Sequence, residues 1–297
     1  STRRQAAEAT TGTRSRTTGT PPVTFDLTAT PTPPPRPLAR ISPGGVVGGG
    51  LSVPSVRQIS SNGIISIFGE NFAPPGTQRL VSSADLVNGR LPTNLGGVCV
   101  EVGAQRAPIF HVFPTQLNIQ VPSLTEPGNT PVQVILNCAT AEESRSNSEV
   151  VVLQAAAPEF LFFVRNADGR NPIAAVNATT PGLVGPEELI PGVQFAPARP
   201  GDVVTLFATG FGATSPTFAA GELPDRIAPT TQPVRVAVGG SDLSEADILY
   251  AGVTPFLAGV YQLNIRIPTN ALDGDLRVTA WVGNFSTSPG AFLTVRR

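Results

Sequence analysis

Ile64-Ile65-Ser66-Ile67-Phe68 and Val203-Val204-Thr205-Leu206-Phe207 repeat one pattern, apolar residues around a central hydroxyl, at an offset of 139 positions. The recurrence continues in order. Val98-Cys99-Val100-Glu101-Val102-Gly103 answers to Val234-Arg235-Val236-Ala237-Val238-Gly239 at an offset of 136. Gln116-Leu117-Asn118-Ile119-Gln120-Val121-Pro122 answers to Gln262-Leu263-Asn264-Ile265-Arg266-Ile267-Pro268 at 146. Ordered matches separated only by small changes of loop length mark a duplicated unit. Each run is short, rich in Val, Ile, Leu and Phe, and bounded by Gly, Pro, Asn or Asp, so strands are predicted rather than helices. Further strands are expected over 132–136 and 150–153.

The fold class read from this pattern is all-β: two tandem immunoglobulin-like β-sandwiches, at 51–157 and 158–297, behind an extended N-terminal tail of residues 1–50. The stretch 157–201 is expected to pack on the second sandwich as an added N-terminal ribbon. The tail is rich in Thr and Pro and sets six arginines against Glu8 and Asp26, a composition that buries no core of its own. One segment breaks its polarity. Val23-Thr24-Phe25-Asp26-Leu27-Thr28-Ala29 alternates strictly between Pro21-Pro22 and Pro31, which predicts one amphipathic strand held by stiff spacers.

Composition removes several functions. The 297 residues hold no lysine, so Schiff-base, isopeptide and Walker-type phosphate chemistry have no side chain to use. One histidine and two cysteines supply neither a His-based triad nor a four-ligand zinc site. A net charge of −1 gives no basic field for nucleic acid, and no run of 18 apolar residues suggests membrane insertion. A chain that starts at Ser1 and holds no methionine is expected to be exported, its signal peptide cleaved.

Ser66-Ile67-Phe68-Gly69-Glu70-Asn71-Phe72, Leu91-Pro92-Thr93-Asn94-Leu95-Gly96-Gly97-Val98, Pro114-Thr115 ahead of the Gln116–Pro122 motif, Ala198-Arg199-Pro200-Gly201-Asp202-Val203-Val204, and Tyr250-Ala251-Gly252 followed by Gly259-Val260-Tyr261 resemble the C-terminal domain of secreted acidobacterial (Solibacter-type) proteins. The resemblance covers roughly residues 51 to 297. It implies a pair of IPT/TIG-type immunoglobulin-like sandwiches in an exported protein, and it carries over no catalytic residue.

Cys99 and Cys138, an even count in an exported chain, are expected to form a disulfide. Parity argues otherwise: with Val98, Val100 and Val102 inward, Cys99 faces outward, whereas Cys138 follows Val132, Val134 and Leu136 inward. A bulge within the domain or a bond between subunits would each resolve the conflict. His111, between Phe110 and Val112, reads as structural. Asn166-Ala167-Asp168-Gly169 and Asp273-Gly274-Asp275 read as turns rather than metal loops, since neither supplies a closing bidentate carboxylate. Asn177 and Asn284 head acceptor sequons and are the candidate glycosylation sites. Trp281 shares the outward parity of Arg277 and Thr279, placed to stack on a sugar or to bury in an interface.

The function expected from these readings is structural, with no enzymatic activity and no cofactor. The chain is read as a subunit of an extracellular filament or sheath, assembling head to tail by N-terminal strand donation. Val23, Phe25, Leu27 and Ala29 form the inserted face, and the partner is the chain itself. The alternative is a cell-surface adhesion or carbohydrate-binding module on a glycosylated stalk, with surface glycans as its partner.

Overall fold

The Gln-Leu-Asn-Ile motifs lie on central strands. Gln116–Gln120 pairs with Ile64–Glu70, and Tyr261–Arg266 pairs with Val203–Thr209, both antiparallel. In the first motif Leu117 and Ile119 are fully buried, in the second Leu263 and Ile265. Each such side chain removed from water contributes about 1.5–3 kcal/mol. The computed structural model describes residues 37–166 and 168–297, so the alternating segment 23–29 lies outside the described residues.

The first sandwich opposes a sheet ordered Arg40–Gly48, Ile64–Glu70, Gln116–Gln120, Ile109–Val112, Arg79–Leu80 to one ordered Gln58–Ser60, Glu149–Gln154, Gly128–Leu136, Val98–Val102, Gln105–Arg106. The second repeats the plan. Its central strands run Ala175–Asn177, Val203–Thr209, Tyr261–Arg266, Ile248–Val253, and they face Asn171–Pro172, Ala291–Val295, Gly274–Val282, Val234–Val238, Ser241–Asp242. The protein is therefore all-β, two tandem immunoglobulin-like sandwiches with separate cores.

The duplication extends to details of register. Gln58–Ser60 runs parallel to Glu149–Gln154, as Asn171–Pro172 does to Ala291–Val295. A bulge between Ile109 and His111 has its counterpart between Ile248 and Tyr250, which sets His111 opposite Asn118 and Tyr250 opposite Asn264. Gly103 and Gly239, both at φ +63°, open two-residue hairpin turns that a residue with a Cβ would strain.

The tail boundary at residue 50 needs correction. Arg40–Gly48 is a strand of the first sheet, and Ile41 and Val46 sit in the core. Composition concealed it because Ser42-Pro43-Gly44-Gly45 interrupts the alternation. The sheet absorbs that break as a register shift between Ile41 and Val46, with Gly44 at φ +62°. The stretch 157–201 supplies strands to both sheets of the second sandwich: Glu159–Phe160 and Ala175–Asn177 pair with Val203–Thr209, and Asn171–Pro172 joins the opposite sheet.

The two sandwiches meet across a junction fastened by hydrogen bonds. The Ile64 N–H donates to Thr209 Oγ1 (2.8 Å), whose hydroxyl donates to the Gly259 carbonyl (2.8 Å). The Gly221 N–H donates to Gln120 Oε1 (2.7 Å), and Asn62 Nδ2 to the Phe218 carbonyl (3.0 Å). Glu159, 1% exposed, accepts the N–H of Gly50 on one oxygen and that of Ser52 on the other. Burial raises the Glu159 carboxyl above the usual glutamate range, against the pull of the Ser52 and Gly50 donors.

Candidate functional site

An apolar groove of about 590 Å³ lies at this junction. That volume falls within the span of ligand and peptide pockets. Its floor is the outer face of the first sheet, with Ile64, Phe110 and Asn118. One wall is the segment Val81–Leu86, and the other comes from the second sandwich through Leu223, Phe256 and Leu257. Asn118 contributes little polarity, because its Oδ1 accepts both the Ser66 hydroxyl (2.9 Å) and Gln116 Nε2 (3.0 Å). The motif that revealed the repeat therefore spends its amide oxygen on internal bonds.

Each wall has a local reason for its shape. Ser82 donates its hydroxyl and its N–H to Asp85 Oδ2 at 2.6 and 2.7 Å, and Arg79 pairs with the other carboxylate oxygen. The Ser82 hydroxyl first, and Arg79 with it, hold the Asp85 carboxyl at about 2. Opposite, Phe256 stands 69% exposed at φ +65°, and its N–H donates to the Pro224 carbonyl (2.7 Å). A large aromatic in left-handed backbone, facing water, carries a conformational cost of about 1–2 kcal/mol that its own packing does not repay.

The residues singled out by the sequence are dispersed. Cys99 and Cys138 are bonded within one domain, Cα to Cα 5.8 Å. Cys99 does face away from the main core, and it packs with Ile135 and Cys138 in a small cluster of its own. The parity conflict dissolves at Asn137, whose φ of +51° turns Cys138 to the outer face. His111 stacks on Phe113 at 4.3 Å with Nε2 buried and unpartnered, and burial lowers its pKa. Asn177 is buried, its Nδ2 donates to Asp202 Oδ2 (2.6 Å), and its Oδ1 accepts the N–H groups of Thr179 and Thr180. Asn284 is exposed in the turn between Val282 and Phe285. Trp281 faces outward, and the Arg235 guanidinium lies over its ring at 5.0 Å. No group of three or more His, Cys, Asp or Glu side chains poised for a metal occurs among the described residues.

Reasoning from sequence missed the groove altogether. Its one signal was Pro255-Phe256-Leu257-Ala258, an apolar run in what should be a polar connection between strands.

No protein-family model matches the chain, and no curated protein matches its sequence. Solved structures similar to it include SGBP-B of the Bacteroides ovatus mixed-linkage glucan utilization locus in complex with a heptasaccharide, at 11% identity and TM-score 0.30 over 81% of this chain and 43% of that one. Domains 5–6 of the S-layer protein SbsC are similar at 10% identity and TM-score 0.27, over 86% of this chain and 98% of that one. The titin immunoglobulin tandem A164-A165 is similar at 12% identity and TM-score 0.23, over 80% and 91%. The chain spans less than half the length of the first of these. At such identities and scores the likenesses assign no role to any residue.

Proposed function

We propose that this protein is a structural subunit outside the cell or on its surface that assembles with copies of itself, using residues 23–29 as a donated strand. The observation that carries the reading is an apolar groove at a hydrogen-bonded junction, in a chain whose tail holds one strictly alternating apolar segment. An intradomain disulfide suits an oxidising compartment. Binding three side chains of the Val23, Phe25, Leu27 kind is worth about 1.5–3 kcal/mol each, which offsets the ordering of a short segment. A contact between one end of a subunit and a different surface of the next generates open fibres unless the rotation closes a ring.

The test is negative-stain electron microscopy and light scattering on the purified full chain beside a Phe25→Asp variant. Polymers from the first and monomers from the second are expected. Monomers from both, or polymers of equal length from both, overturn the reading.

A further inference from the structure

The first described strand runs from one end of the first sandwich to the other. Arg40 pairs with Glu70, while Gly48 at the other end of the same strand pairs with Ile65. The groove is lined by Gly49 and Ile64, so it opens at the Gly48 end, opposite the end where Arg40 begins the strand. Between Leu27 and the first described strand the sequence holds five prolines, at 31, 33, 34, 35 and 37.

We infer that the junction groove is the acceptor for residues 23–29 of a second copy of this chain, with Phe25 seated between Leu86, Phe110, Leu223 and Phe256. This rests on the self-assembly reading above and adds to it the site of contact. Several features fit that occupant. The groove floor is mostly apolar and the oxygen of its single amide is already engaged, so it suits the Val23, Phe25, Leu27 face of an alternating segment and leaves Thr24, Asp26 and Thr28 to water. One wall belongs to each sandwich, so the acceptor exists only when the two are docked. The exposed aromatic rim at Phe256, kept in backbone that disfavours it, is what a surface waiting for a partner presents. With the start of the first strand and the acceptor at opposite ends of the first sandwich, a strand passed from copy to copy propagates the contact in one direction.

The experiment uses the full chain carrying Phe25→Asp, which accepts but does not donate, and a fluorescent peptide of residues 20–31 followed by anisotropy. A further Phe256→Asp change tests the groove; the fold tolerates it because Asp adopts left-handed backbone more readily than Phe, and an unchanged melting temperature verifies this. Saturable peptide binding that weakens at least tenfold with Phe256→Asp is expected, with Leu86→Asp acting in the same direction. Binding untouched by both groove changes overturns the groove as acceptor while leaving strand donation standing. No binding to any variant overturns both. Failure of the peptide together with uptake of an apolar dye that Phe256→Asp abolishes would make the groove a small-ligand pocket and overturn the inference.

Discussion

Phe256 and His111 show how much a single side chain discloses. At φ +65° and 69% exposed, Phe256 spends conformational energy without recovering it in burial. Phe256→Gly relieves the left-handed strain, and the added freedom of the unfolded chain returns part of that gain, so the fold is expected to gain about 1 kcal/mol in urea unfolding. A loss of stability would mean that the ring packs more than its exposure implies. His111 takes up its proton at lower pH than an exposed histidine does. Burial holds its native pKa below the ordinary 6.5, and no acceptor meets its Nε2. A depressed histidine favours the folded state while neutral. Its contribution is therefore whole above the unfolded value and is lost as pH falls from 6.5 through the lower native one. Melting temperatures across that range should fall more steeply for the native chain than for His111→Phe; parallel curves would exclude His111 as the group responsible.

Strands were the legible level of this protein, because duplication prints each of them twice. The same bond occurs in both copies: the Ser66 hydroxyl donates to Asn118 Oδ1, and the Thr205 hydroxyl to Asn264 Oδ1, each at 2.9 Å. Ser66 is fully buried whereas Thr205 is not. Asn118→Ala strands a buried hydroxyl and should cost about 1–3 kcal/mol, while Asn264→Ala leaves Thr205 some access to water and should cost less than about 1. Equal losses would contradict the difference in burial. Alternation failed as a guide where a positive φ or an inserted residue shifts the phase. Residues 40–48 looked like tail because Gly44 and Gly45 interrupt the alternation, and Cys138 was given the wrong face because Asn137 turns the chain. The disulfide closes 39 residues on a small outer cluster, so its reduction should remove about 3–4 kcal/mol on the chain-entropy model and leave the main core packed. Loss of all structure on reduction would show that Cys99 and Cys138 hold more than that cluster.

The groove was illegible for a reason that belongs to the whole molecule: no element carries it. Its floor comes from the first sheet, its walls from two loops some 170 residues apart in sequence, and only docking of the two sandwiches brings them together. The docking can therefore be attacked away from the groove. Gly210 sits at φ +75°, and its carbonyl accepts the Ala157 N–H (2.9 Å) and the Ser60 hydroxyl (3.3 Å), which ties the second sandwich to the first. A Cβ at this position would collide with the Ala157 carbonyl. Gly210→Ala should cost about 2–3 kcal/mol, from left-handed strain and from displaced backbone, and most of it should fall on the junction rather than on either core. The native chain is expected to unfold in one calorimetric transition, and the variant in two as the sandwiches part company. Because each sandwich supplies one wall, the variant should also bind the residue 20–31 peptide more weakly, although Gly210 does not line the groove. A Gly210→Ala chain that still unfolds in one step and takes up the peptide with native affinity would show that the acceptor is built within a single sandwich and does not depend on their docking.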